Sequence, residues 1–103
     1  MKSLPFLGFD WDKGNAQKNE ESHAVVISEC EQVFFNKPNF GGKDMKHSHL
    51  EERNFIYGRT NAERLLFVVY TIRNGKIRVI SARDMNKKER KSFYEKVKKH
   101  TEI

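Results

Sequence analysis

Residues 51–83 read EERNFIYGRTNAERLLFVVYTIRNGKIRVISAR, and this stretch decides the fold. It divides into three strand-like runs: Glu52 to Thr60, Arg64 to Arg73 and Lys76 to Arg83. The middle run, Leu65 to Ile72, is almost wholly apolar or β-branched, the pattern of an interior strand covered on both faces. Asn74-Gly75 between the last two runs is a strong hairpin signal, because a two-residue type I′ turn needs positive φ at both positions. Asn61-Ala62-Glu63 fits a three-residue hairpin loop. Six of the seven arginines lie in this stretch, interleaved with aromatics: Arg53, Arg59, Arg64, Arg73, Arg78 and Arg83.

Working outward, 103 residues make one domain with a modest core. The net charge of +6 is unevenly spread. Residues 1–52 hold six Lys/Arg against nine Asp/Glu, while residues 53–103 hold fourteen against five. A basic half of this kind attracts polyanions, nucleic acid above all. A single cysteine, Cys30, excludes an internal disulfide and fits a reducing compartment. Its place on an amphipathic stripe makes it a buried, inert thiol. The first eight residues carry no signal-peptide pattern, and no window is long enough to cross a membrane, so the expected location is the cytoplasm.

On the N-terminal side, Phe6, Phe9 and Trp11 are expected to anchor an extended segment to the core. Asp10 or Asp12 caps a polar, shallow helix from Lys13 to about Ser22. Ser28 with Glu31 has the spacing of a capping box for a second helix, Glu29 to Phe35, with Cys30, Val33 and Phe34 on its buried stripe. Pro38 and Gly41-Gly42 forbid a helix over residues 36–50; an irregular edge strand near Phe40 and a loop with His47 and His49 are expected there. On the C-terminal side, Asn86 with Glu89 repeats the capping box. A helix follows from Lys87 to about His100, with Phe93 and Val97 as its core contacts and Tyr94 alongside. The fold class is therefore α+β: a small antiparallel meander with N-terminal helices and a C-terminal helix.

The turns also imply a register. A two-residue turn at Asn74-Gly75 pairs Arg73 with Lys76, Thr71 with Arg78, Val69 with Ile80 and Phe67 with Ala82. The three-residue loop pairs Thr60 with Arg64, Tyr57 with Phe67 and Arg53 with Thr71. Side chains alternate across a sheet. On that register Arg64 and Arg83 meet at one end of one face, and Arg53 and Arg78 flank Thr71 at the opposite end of the other. Like charges brought together call for an anion between them, either an internal carboxylate such as Glu52 or a ligand phosphate. A one-residue slip swaps the faces.

The succession FDWDKGNAQKN, HAV, VFFN, HLEERNFIYGRT, RLLFVVYTIRNGKIRVISAR and KKERKSFYEK resembles the BrnT family of bacterial type II toxins, in that order, over residues 9 to about 96. The resemblance implies a fold like that of RelE-type and ParE-type toxins. It implies a ribonuclease that needs no metal or other cofactor and inhibits translation. The implied partners are RNA and a DNA-binding antitoxin, BrnA, in a toxin–antitoxin hetero-oligomer. Ser22-His23-Ala24-Val25 departs from the family's Lys-His-Gly-Val run. That departure keeps a second reading open: a catalytically degenerate toxin fold that binds antitoxin or nucleic acid without cleaving it.

RNA cleavage by attack of the 2′-hydroxyl on the adjacent phosphate needs a base, cations for the equatorial oxygens and an acid for the leaving 5′-oxygen. Arginine suits the cationic role, because its fork matches two phosphate oxygens and it stays protonated. Arg64 and Arg83 are the candidate clamp, with Arg53 and Arg78 as the alternative pair. His49, Glu52 and His23 are candidate bases, and Tyr94 a candidate for orienting RNA or sharing acid–base work. Against these stand plainer roles: a surface salt pair for Glu52 and Arg53, and a core contact for Tyr94. Arg59, Lys87 and Arg90 are further candidate RNA contacts. His47-x-His49 lacks the third and fourth ligands a metal site needs. One positive surface is expected to serve both RNA and an acidic antitoxin segment.

Overall fold

Capping sets the first helix. Asp12 accepts from the Asn15 backbone N–H at 3.0 Å, and Asn15 Oδ1 accepts from the Asp12 N–H at 2.8 Å. Helix α1 (Lys13–His23) starts there and ends at Ala24, a left-handed cap with φ 52°. The computed structural model describes residues 8–46 and 51–101, the last by its backbone alone. Helix α2 (Ile27–Phe35) starts two residues before the expected Glu29. Its cap is not the Ser28–Glu31 pair; Glu29 Oε1 accepts from the Val26 N–H at 3.2 Å, and Glu31 instead accepts from Trp11 Nε1 at 2.9 Å.

Four strands follow: β1 (Phe40–Lys43), β2 (Asn54–Arg59), β3 (Leu65–Arg73) and β4 (Lys76–Asp84). They form one antiparallel sheet in chain order, with the apolar β3 in its interior as its composition requires. Asn74 (φ 52°) and Gly75 (φ 77°) make the expected tight turn, and the Thr60 N–H donates to the Arg64 carbonyl at 2.9 Å across the softer loop. Asn86 and Glu89 close a reciprocal cap, each backbone N–H donating to the other's side chain at 2.8 Å, and α3 (Lys87–Thr101) runs from it.

One face of the sheet holds the main core. Ile56, Leu66, Val68, Ile77, Val79 and Ala82 pack on Val25, Cys30, Val33 and Phe34. Gly58 lets α2 settle on β2: a Cβ there would stand 2.8 Å from Val33 Cγ1. Cys30 is buried as expected, and burial together with Glu29 and Glu31 pushes its thiol up to about 12. Helix α1 docks through amides rather than apolar side chains. Asn15 Nδ2 donates to the Val79 carbonyl at 3.2 Å, and Asn19 Oδ1 accepts from the Ala82 N–H at 2.9 Å. The backbone of Gly8 and Asp10 binds Ile77 in the same way, so β4's outer edge is covered. The opposite face carries a smaller cluster, Leu65, Met85 and Phe93 with Phe40, Tyr57 and Val97, and this is the seat of α3.

The β3–β4 register follows the expected pairs from Arg73↔Lys76 through Tyr70↔Val79, then shifts. Val69 pairs with Ser81, not Ile80, and Phe67 pairs with Arg83, not Ala82. The extra residue in β4 is a β-bulge, which turns every later side chain of that strand to the other face. Ala82 thereby enters the core, and Arg83 leaves the Leu66 side for the Phe67 side.

Candidate active site

The bulge creates a site that a regular ladder lacks. Arg83 lies over the Phe67 ring, 4.5 Å from its centroid. Its guanidinium makes a two-pronged bond to Glu89, Nη1 to Oε1 at 2.7 Å and Nη2 to Oε2 at 3.0 Å. The Tyr57 hydroxyl donates to the same carboxylate at 3.0 Å. Three elements therefore meet at one anion: β4 supplies Arg83, β2 supplies Tyr57 and the first turn of α3 supplies Glu89. The Arg83 fork holds the Glu89 carboxyl below the ordinary carboxylate range, aided by the Asn86 N–H and Tyr57. Burial, reinforced by Glu89, pushes the Tyr57 phenol up, so it stays protonated at neutral pH. A neutral proton donor, a carboxylate and a permanent cation stand within one hydrogen-bonded cluster.

The cluster opens into a cleft of about 320 Å³ between the sheet and α3. Phe40, Phe55 and Tyr57 line it from the sheet, and Lys88, Ser92, Phe93 and Lys96 from the helix. Lys96 Nζ stands 5.8 Å above the Phe40 ring. Phe55 and Tyr57 continue into Phe67 as one aromatic patch, with centroids 4.8–6.2 Å apart. All three rings are only partly buried.

The other predicted residues are dispersed. Arg64 is not beside Arg83: it lies on the face covered by α2, where it bonds Asp84 at 2.7 and 3.0 Å and Glu29 at 3.1 and 3.2 Å. It also donates to the Ala24 and His23 carbonyls at 2.9 and 3.1 Å, clamping the left-handed end of α1. Arg78 pairs with Thr71 across the strands as expected, but its anions are Asp12 at 2.8 Å and Asp10 at 3.6 Å. Glu52 bridges to Lys43 at 2.9 Å. Arg53 lies just before β2, half-buried. Arg59 donates to the Lys37 carbonyl at 3.1 Å and lies 3.7 Å from Glu63. Arg90 donates to the Met85 carbonyl at 2.7 Å, and Lys87 is exposed at the start of α3. His23 is exposed at the end of α1. Tyr94 is not a core contact: it is 59% exposed and touches only the edge of the α3 seat through Phe93. His47 and His49 lie outside the described residues.

Sequence reasoning placed Tyr57 opposite Phe67 correctly but gave it no role, and it read Glu89 only as a helix cap. The signal was present: a capping glutamate six residues after an arginine at a strand end can serve both, and Glu89 Oε1 accepts from Asn86 N–H and Arg83 alike. Lys88 and Lys96 were part of a lysine-rich helix face with no reason to prefer them.

The sequence profile described as "Ribonuclease toxin, BrnT, of type II toxin-antitoxin system" matches residues 11–89. The chain belongs to the BrnT family. The matched span contains Tyr57, Arg83 and Glu89 and stops at the first turn of α3. A comparison with curated proteins finds no match. Among the described residues no three His, Cys, Asp or Glu side chains are grouped to hold a metal ion, and no helix is long and apolar enough to cross a membrane.

Proposed function

We propose that this BrnT-family chain is a metal-independent endoribonuclease whose reaction runs at the Arg83–Glu89–Tyr57 cluster. The observation that carries the reading is the convergence of cation, carboxylate and neutral phenol in one cluster, whose Glu89 and Tyr57 line an open aromatic cleft. Arg83 meets the equatorial oxygens of the scissile phosphate, exchanging one Glu89 oxygen for phosphate. Glu89 takes the proton of the attacking 2′-hydroxyl, and the Tyr57 phenol protonates the leaving 5′-oxygen. The products are a 2′,3′-cyclic phosphate and a 5′-hydroxyl. The proton on Glu89 then returns to the Tyr57 oxygen across their hydrogen bond, which restores both groups. Glu52 is bonded to Lys43 and His23 acts on Asp84 rather than on Glu89, so in this reading Glu89 takes the base role for which His49, Glu52 and His23 are the sequence candidates. Arg64 serves the fold rather than the phosphate.

The departure at Ser22 falls in the last turn of α1, outside the three elements that supply Arg83, Glu89 and Tyr57. In this proposal all 103 residues act as one toxin domain in the cytoplasm. The enzyme blocks translation by cutting RNA, and a BrnA-like antitoxin neutralises it by covering the basic surface in a hetero-oligomer. The test is cleavage of a defined RNA by purified protein, with and without EDTA. Arg83→Ala and Glu89→Gln should each abolish most activity, Arg83→Lys should rescue poorly for want of the fork, and EDTA should change nothing. Loss of activity on chelation, or full activity in both variants, overturns the mechanism.

A further inference from the structure

Resting on the nuclease reading above, we propose that the cleft is the first part of a longer track that accepts single-stranded RNA and rejects duplex. The track runs on past the reacting cluster, along the seam between β1 and α3. A second depression lies there, formed by Asn39, Phe40, Gly41, Lys96, Lys99 and His100. It shares Phe40 and Lys96 with the cleft beside Tyr57 and Glu89, so the two adjoin across that pair. The helix wall carries three lysines, set among Glu89, Ser92 and Phe93. Lys88, Lys96 and Lys99 lie along α3, and at 1.5 Å per residue the first and last are about 16 Å apart. That is room for more than the two nucleotides that flank one phosphate.

The opposite wall is aromatic, and β1 keeps it open. Gly42 pairs directly with Phe55, and a Cβ at Gly42 would rest 3.4 Å from the tip of that ring. With glycine there, the ring stays accessible beside the edge strand. A row of partly exposed rings facing a row of lysines suits unpaired bases stacked on one side and phosphates neutralised on the other. A duplex keeps its base faces stacked internally and offers nothing to the rings. An acidic peptide would satisfy the lysines but leave Phe40 and Phe55 without a matching partner. The aromatic half of the surface therefore favours RNA as the occupant.

The experiment measures binding separately from cleavage. Fluorescein-labelled 2′-O-methyl oligoadenylates cannot be cut by 2′-hydroxyl attack, and their affinity is read by anisotropy from the dinucleotide to the octamer. Affinity should rise with length until the track is filled, and should exceed that of the same octamer paired with oligouridylate. It should fall steeply with salt, since each phosphate contact releases counterions. Lys96→Glu with Lys99→Glu should weaken the octamer at least tenfold, and Phe55→Leu should weaken it several-fold. Cleavage of an unmodified dinucleotide should not respond to Lys99→Glu alone, since Lys99 lines the second depression and not the cleft. Equal affinity for the duplex, equal affinity for a polyglutamate peptide, or no effect of the lysine reversals overturns the track. Binding with these signatures but no cleavage of any unmodified RNA would retain the track and sink the nuclease mechanism instead.

Discussion

Arg64 and Arg83 flank the same end of β3 and β4, and each grips carboxylates with a guanidinium fork, yet they have opposite surroundings. Arg64 faces the helix layer. Its donors end on Glu29, Asp84 and two backbone carbonyls at the close of α1, so it fastens chain to chain. Arg83 lies on the other face beside the cleft, bonded to Glu89 and to the Asp84 carbonyl and set over the Phe67 ring. A cation whose donors are shared among two carboxylates and two backbone carbonyls contributes to stability. A cation held by one carboxylate and one backbone carbonyl at the edge of an open cleft is placed for a ligand anion. Residue type does not separate the two; the one-residue bulge in β4 does.

The sharpest test of this contrast is a pair of alanine substitutions scored for rate and for stability. Arg83→Ala should cost about 2.7–4 kcal/mol of transition-state stabilisation, a loss of roughly a hundred- to a thousandfold in cleavage rate. Arg64→Ala should leave the rate per folded molecule within a few-fold. It should instead destabilise the fold by about 2 kcal/mol, the scale of hydrogen bonds to a charged group lost from a partly buried site. Denaturant unfolding and single-turnover cleavage on both variants separate these outcomes. A reversed pattern would exchange the roles of the two arginines.

Acid should probe the same contrast. Glu89 and Asp84 both have carboxyls held below their ordinary values, by Arg83 and Arg64 respectively. A depressed folded pKa contributes stability above the unfolded value, and that contribution is lost as pH falls through the folded value. Unfolding free energy should therefore decline below about pH 4.5, the ordinary glutamate value. Glu89→Gln should flatten that decline more than Asp84→Asn. The Glu89 side chain is 16% exposed and that of Asp84 61%, so water screens the Asp84 pair more strongly. Equal flattening by the two variants would mean that the Arg83 pair is no better shielded than the Arg64 pair.

The smallest effect concerns the turn that Arg64 clamps. Ala24 adopts φ 52°, a conformation that glycine takes freely and alanine resists. Ala24→Gly should stabilise the chain by about 1 kcal/mol without changing cleavage, measured as a shift in the unfolding midpoint. No shift would imply that the Arg64 bonds to the His23 and Ala24 carbonyls already offset the strain.

Local chemistry made much of the fold legible. An apolar run becomes an interior strand wherever it lies, Asn-Gly has few places to go but a tight turn, and an Asn-x-x-Glu cap needs only its own four residues. The sheet, its order, α3 and the buried stripe of α2 were therefore readable from the sequence, as was the family resemblance. The docking of α1 was not, because Asn15 and Asn19 look like surface residues until the edge of β4 offers their amides unpaired backbone groups. Nor was the bulge, since no residue in Val79-Ile80-Ser81 demands it; it is favoured when Ala82 packs into the core beneath α1 and α2. That choice decides which face Arg83 occupies. The sequence alone determined that arginines would sit among aromatics on a small basic sheet. Only the tertiary structure decided which arginine is fastened to α2 and the end of α1 and which stands beside the cleft, because the core's demand for Ala82 sets the register and the register sets the face.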